Sequence, residues 1–310
     1  MKNQNFKYIL FFVESPLQLL CAYEAIGYFK LKKFQIYIRL SNLSVNDNQI
    51  INICKLLFNK YEQNNIKYIT IVPNLNFIAI LKIILYKILI FKYIFYIDKI
   101  AIGNYQSNFF SFLIKWVDTK KVLLLDDGSG SLNVQKLLTK ENAFDTFTFF
   151  RLEKKYNQNI YINHFHRIKK LVKNKIIHNE IIFIGSKISE VRIISEAEFL
   201  LLMQKIVKYF NKKIIYIPHR GESNQKINKL KKIKNIRIMT LNYPIEMIGI
   251  YNQNMYNTFV SFFSTALFTL KNIYNIEPIA IKINYNNAKN KDMIEEVYNY
   301  YSNEMKIIEL

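Results

Sequence analysis

Short apolar runs built from Ile, Val, Leu, Phe and Tyr recur along this chain, each separated from the next by a stretch with helical patterning. Tyr8–Val13, Phe34–Leu40, Tyr68–Val72, Lys99–Ile102 and Val122–Leu125 read as strands. Leu17–Phe29 and the segments near Asn46–Tyr61, Leu75–Tyr93 and Ser107–Val117 read as the helices between them. Pro16 sits where a first helical turn tolerates a missing N–H. Strands that alternate with helices pair in parallel through right-handed crossovers. A polar, irregular stretch follows, from about Asn157 to Lys175, and then the pattern starts again. Its strands are Ile181–Ile184, Ile214–Ile217, Ile236–Thr240, Thr258–Phe262 and Pro278–Ile283, and its helices Ile193–Phe210, Pro244–Tyr251, Ala266–Ile273 and Lys291–Tyr300. The doubling predicts an α/β protein with two Rossmann-like doubly wound domains, residues 1–156 and 157–310, facing a central cleft. A chain of 310 residues suits two cores better than one.

Composition narrows the function classes. The chain is 51% hydrophobic, with 24 Phe and 22 Tyr, so it can bury a core and is not disordered. Only 7 Gly and 5 Pro leave little material for Gly-rich phosphate loops. The formal net charge of +21 fits attraction to nucleic acid, anionic lipid or an acidic substrate, and it fits equally a Lys- and Asn-rich codon bias. Nucleic acid is the weakest of these, because neither a recognition motif nor one clustered basic block is present. Cys21 and Cys54 supply neither a disulfide framework nor a metal knuckle, which fits a reducing compartment. The run Tyr8–Val13 is too short for a signal segment, so a cytoplasmic location is expected. Leu75–Ile97 is the one membrane candidate. Lys82, Lys87 and Lys92 interrupt it, leaving three readings: a spanning helix, a helix lying at a membrane surface, or a buried helix with snorkelling lysines.

The chemistry gathers where strands stop, since ligands of open parallel sheets lie outside the carboxyl ends of the strands. Val122–Leu125 ends at Asp126–Asp127–Gly128, and Ile214–Ile217 ends shortly before His219–Arg220. Because neighbouring strand residues face opposite ways, one of the two aspartates should enter the cleft and the other should brace the loop or cap a helix. An inward carboxylate can take a proton from an acceptor hydroxyl, and a histidine at a strand end can donate to a leaving phosphate. Ser264–Thr265 falls where a strand runs into a helix, a place that serves both as a cap and as an anion site. Glu246 follows a proline just inside a short helix, where it could hold two ribose hydroxyls or simply favour the helix dipole. His164 and His166 lack Cys or Glu at ligand spacing, and no metal site is expected. Glu14–Gln18 occupies the place of a dinucleotide GxGxxG, which is absent, so a nicotinamide or flavin cofactor is not expected.

Together and in this order, the pieces resemble the bacterial sialyltransferases of GT-B type, in particular the lipooligosaccharide sialyltransferase and polysialyltransferase families. The opening Val13–Ala25 (VESPLQLLCAYEA) looks like the start of that group. The family's acidic-acidic-Gly motif matches Asp126–Asp127–Gly128, its His-Pro motif matches His219–Arg220, and its paired-hydroxyl motif matches Ser264–Thr265. Arg220 stands where the family has proline, and Thr265 where it has serine. The resemblance implies an inverting, metal-independent transfer of sialic acid, or a related nonulosonic acid, from a CMP-activated donor to a glycan or glycolipid acceptor such as lipooligosaccharide or capsule. Asp127 would be the general base and His219 the acid or leaving-phosphate donor. Glu246, Ser264, Thr265, Arg220, Ser15 and Gln18 would bind the donor, with Asp126 and Gly128 supporting the loop. No cofactor and no nucleic-acid partner is implied, and peripheral contact with the inner face of the cytoplasmic membrane is. Two other readings stay open: a GT-B glycosyltransferase using another nucleotide sugar, and a non-catalytic membrane-surface protein of polysaccharide assembly.

Overall fold

A computed structural model describes residues 6–70, 77–172, 176–251, 254–285, 288–289 and 291–310. The chain forms two compact units, Met1–Ile168 and Lys169–Leu310. The strands of the first unit are β1 (Tyr8–Val13), β2 (Lys33–Leu40), β3 (Ile66–Thr70), β4 (Lys99–Ile102), β5 (Val122–Leu125), β6 (Asp145–Thr148) and β7 (Ile160–Ile162). They form one sheet in the order β3-β2-β1-β4-β5-β6-β7, parallel throughout. Its helices are α1 (Pro16–Tyr28), α2 (Ser44–Leu57), α3 (Lys60–Gln63), α4 (Phe77–Tyr93), α5 (Asn108–Ile114), α6 (Gly130–Leu137) and α7 (His166–Leu171), the last running just past the unit boundary. Every residue of β4 and β5 is buried, as expected for parallel strands covered on both faces.

The second unit holds β8 (Ile176–Ile184), β9 (Ile214–Ile217), β10 (Ile236–Ile238), β11 (Asn254–Ser261), β12 (Ile279–Lys282) and β13 (Lys306–Glu309). They are again parallel, in the order β10-β9-β8-β11-β12-β13. Its helices are α8 (Glu196–Phe210), α9 (Asn224–Leu230), α10 (Ile248–Tyr251), α11 (Thr265–Tyr274) and α12 (Lys291–Ser302), and a 3-10 turn, Ile245–Met247, leads into α10. Both sheets carry the strand order of a doubly wound α/β domain. The order reverses between β1 and β4 in the first unit and between β8 and β11 in the second, the kind of point at which open α/β sheets bind ligands.

Several elements lay outside the expected set. β6 has two threonines and an aspartate among its four residues, all buried. Asp145 pairs with buried Lys99 at 2.7 Å, and Gln158 donates to Thr146 at 2.8 Å, so the polar atoms of the strand are satisfied inside the protein. The polar stretch from about Asn157 to Lys175, irregular in its sequence pattern, contains β7 and α7. Glu24 of α1 accepts the backbone N–H of Arg167 at 3.0 Å and of Ile168 at 2.6 Å, anchoring the start of α7 to the first unit. Residues 71–76 and 173–175 lie outside the described set, and with 71–76 the end expected for the strand Tyr68–Val72 and the start expected for the helix Leu75–Tyr93. Among the described residues no helix is long and apolar enough to cross a membrane.

Candidate functional site

In the first unit, β5 delivers two adjacent carboxylates to different surroundings. Asp126 is fully buried. The Thr148 hydroxyl donates to its Oδ1 at 2.8 Å and the Phe149 N–H to its Oδ2 at 2.7 Å, and the Ser131 hydroxyl also bonds it. Burial pushes the Asp126 carboxyl up to about 7, against those hydrogen bonds and with a small push from Asp127. Asp127 is partly exposed, and its Oδ1 accepts the Gln18 side-chain amide at 2.6 Å. The backbone N–H of Asp127 donates to the Ser131 hydroxyl at 3.1 Å. Gly128 then turns the chain with φ 69°, a left-handed conformation that favours glycine, and α6 begins at Gly130.

Gln18 is held from both ends. Its Oε1 accepts the Glu14 N–H at 2.8 Å while its Nε2 holds Asp127. Ser15 caps α1 by accepting the Gln18 N–H. Gly103, at the end of β4, makes room for this side chain: a Cβ at 103 would lie 2.1 Å from the Gln18 amide. Gln18 is thus pinned at the β1–β4 switch point, with its amide aimed at the Asp127 carboxylate. Asp127, Gly103, Asn104, Gln106, Gly130 and Ser131 line a small open depression.

The buried aspartate makes stability depend on pH. The folded carboxyl titrates near 7 and an unfolded one near about 4, so over that interval the folded chain binds the extra proton. The stabilisation is fully present below about pH 4 and is lost as pH rises toward about 7, with a slope of at most ~1.4 kcal/mol per pH unit. Urea unfolding across this range should show the decline, and Asp126→Asn should flatten it. A variant with the wild-type pH profile would refute the assignment.

In the second unit, the β9 end and the α11 start carry the remaining residues. His219 follows β9, and its Nδ1 accepts the Gly221 N–H at 3.0 Å, so a neutral ring carries its proton on Nε2. Burial lowers the imidazole to about 4, helped by the Arg220 and Lys187 charges. The ring is therefore a neutral Nε2–H donor at pH 7, and an anion beside it would raise its proton affinity. Glu246, in the 3-10 turn before α10, is buried and accepts the Thr269 hydroxyl of α11 at 3.0 Å. Burial raises its carboxyl, while the charge of Arg220 opposes that shift. Ser264 caps α11, accepting the Ala266 N–H at 3.3 Å, which leaves its own hydroxyl proton to donate. The Thr265 hydroxyl bonds the buried Tyr301 hydroxyl. His219, Arg220, Glu246 and Ser264–Thr265 thus all belong to the second unit, whereas Asp127, Asp126, Gly128, Ser15 and Gln18 belong to the first.

Residues not singled out from the sequence underlie the His219 loop. Glu222 accepts the His219 N–H at 2.6 Å and the Tyr216 hydroxyl at 2.6 Å. Lys226 is fully buried, 2.7 Å from Glu222 and 2.9 Å from Glu190. Glu222 and Lys226 stand four apart, a spacing visible in the sequence, but nothing local shows that the lysine turns inward. Among the described residues no group of three or more His, Cys, Asp or Glu side chains is placed to hold a metal ion.

The sequence matches no protein-family model and no curated protein. Solved structures do match over nearly the whole chain. UDP-N-acetylglucosamine 2-epimerase from Rickettsia bellii superposes with a TM-score of 0.58 at 12% identity, covering 93% of this chain and 82% of that one. The S. aureus MnaA–UDP co-structure gives 0.58 at 11% identity, covering 97% and 92%. MurG from Acinetobacter baumannii gives 0.51 at 10% identity, covering 98% and 85%. At such identities the likeness establishes the architecture: the chain is an α/β protein of GT-B-like fold, with two parallel Rossmann-like sheets.

Proposed function

We propose that this chain is an inverting, metal-independent glycosyltransferase that moves sialic acid, or a related nonulosonic acid, from a CMP-activated donor to a cell-surface glycan acceptor such as lipooligosaccharide or capsule, working at the cytoplasmic face of the inner membrane. One observation carries the reading. The carboxyl edge of the second sheet presents a neutral imidazole N–H, a guanidinium, a capped helix start and a buried carboxylate, a set suited to one phosphate and one ribose. A CMP leaving group has a single phosphate, so His219 Nε2–H, the Ser264 hydroxyl and the α11 amides supply the donors without a Gly-rich diphosphate turn. Glu246 would hold the ribose hydroxyls, with Arg220 positioned for the phosphate or the donor carboxylate.

On this reading the acceptor hydroxyl attacks the anomeric carbon from the face opposite CMP. Its proton passes to Asp127 as the new C–O bond forms, and the glycosidic electron pair leaves with the CMP phosphate. Negative charge grows on that phosphate in the transition state, so donors fixed there stabilise it more than the ground state. Gln18, whose amide bonds Asp127, would orient the base.

A second reading rests on the UDP that the S. aureus MnaA co-structure contains: an enzyme acting on a UDP-sugar. Titration calorimetry separates the two. CMP is expected to bind, with UDP and GDP at least tenfold weaker. Ser264→Ala with Thr265→Val is expected to weaken CMP binding by tenfold or more. Binding of UDP in preference to CMP would overturn the sialyltransferase reading in favour of the second.

A further inference from the structure

α4 leaves an apolar face uncovered. Ile83 and Ile90 turn into the core of the first unit, but Ile80, Leu81, Ile84, Leu85, Ile88 and Phe91 are all exposed. At ~100° per residue these six fill one continuous arc of roughly 140°. Lys82 and Lys87 flank the arc on its two sides, and Lys92 lies within it. Phe95 and Tyr96, beyond the helix, are about four-fifths exposed, as is Trp116 beyond the end of α5. A soluble monomer seldom leaves so many large apolar side chains together in water.

The charges around this face have one sign. Between residues 77 and 117 the only acidic residue is Asp98, and it is engaged by the backbone N–H groups of Lys7 and Tyr8. The Lys87 ammonium lies 4.0 Å from the centre of the Phe112 ring and 3.6 Å from the Trp116 ring, with no hydrogen-bond acceptor among the described residues. Its nitrogen is buried against these rings, which ties Trp116 and Phe112 to the flank of the apolar arc. A 17-residue helix carrying three lysines does not cross a bilayer. An apolar arc with lysines beside and within it, and aromatic rings nearby, is what a helix lying in the headgroup region presents.

We infer that the α4 face, extended by Phe95, Tyr96 and Trp116, docks the protein in-plane on an anionic phospholipid surface. The apolar arc enters the acyl boundary and Lys82 and Lys92 meet headgroup phosphates. The inference goes beyond the transferase reading and does not depend on it, since lipid binding is read without donor or acceptor.

The test uses the full chain and large unilamellar vesicles, either phosphatidylcholine alone or phosphatidylcholine mixed with phosphatidylglycerol. Trp116 is the only tryptophan, so its emission reports this face directly. Binding to the mixed vesicles is expected to be at least tenfold tighter, with a blue shift of Trp116 emission and weakening by salt. Leu85→Glu with Ile88→Glu and Phe91→Glu should cut vesicle binding at least tenfold while the melting temperature stays at or above that of the wild type. Lys82→Glu with Lys92→Glu should remove the preference for the anionic vesicles. Absence of vesicle binding, or undiminished binding by the triple variant, would overturn the inference. So would a wild-type dimer that the triple variant dissolves with no vesicle association, which would mark the face as a contact between two copies.

Discussion

Asp127→Asn is expected to lower transfer by about three orders of magnitude while leaving CMP affinity at the wild-type value. The substitution keeps size and shape, and an asparagine Oδ1 still accepts the Gln18 amide that reaches Asp127 at 2.6 Å. The backbone bond to Ser131 is untouched, so the loop keeps its form. Only the capacity to take a proton is lost. CMP binding is assigned to the other unit and should not change. Asp126→Asn is the matched control, because its carboxyl is enclosed by Thr148 and the Phe149 N–H and reaches no solvent. Its effect should fall on the pH dependence of stability, with turnover within about tenfold of wild type. Single-turnover assays with a CMP-activated sialate and labelled galactosides, run beside calorimetry on the same preparations, measure both quantities. Near-wild-type turnover in Asp127→Asn together with a collapse in Asp126→Asn would mean that the neighbouring carboxylate is the base.

Much of the architecture was legible because parallel strands buried on both faces read as unbroken apolar runs. Tyr8–Val13, Lys99–Ile102, Val122–Leu125 and Ile214–Ile217 are strands at the expected positions. β6 was not legible, because Asp145, Thr146 and Thr148 read as loop residues until Lys99, Gln158 and Asp126 are seen to satisfy them. β7 is three residues long and half-buried at a sheet edge, and α7 is anchored by a glutamate more than a hundred residues earlier. The same limit applies to the site. Asp127, His219 and Ser264 announce themselves as polar residues where apolar runs stop. Gln18 is singled out only through the resemblance, as a donor ligand, and only the three-dimensional fold brings it to Asp127, 109 residues away. Glu222 and Lys226 form a helix-spaced pair that on most helices would be solvated; here the ammonium turns inward under the imidazole loop.

That inward lysine makes the second large prediction. Lys226→Met is expected to destabilise the second unit by ~3–5 kcal/mol at neutral pH, because it leaves the Glu222 carboxylate buried without its counter-charge. Both side chains of the pair are fully buried, and the ammonium also bonds Glu190 at 2.9 Å and the Ser189 hydroxyl at 3.1 Å, and lies 4.3 Å from the Phe199 ring centre. Burial already holds the Glu222 carboxyl above its ordinary range despite the lysine. Without the ammonium that rise grows, so the folded state takes up a proton at a higher pH than the unfolded chain does. The penalty is therefore full above the folded value and fades as pH falls toward about 4, where both states are protonated. Glu222→Gln added to Lys226→Met removes the stranded charge and keeps an oxygen for the His219 N–H, so the double variant should recover most of the loss. Urea unfolding of the two variants near neutrality and in mild acid reads all three outcomes. A single variant within about 1 kcal/mol of wild type at neutral pH, or a double variant no more stable than the single, would show that the charge pair does not hold this loop. If the pair does hold it, the Nε2–H of His219 owes its position to a lysine that never meets the ligand.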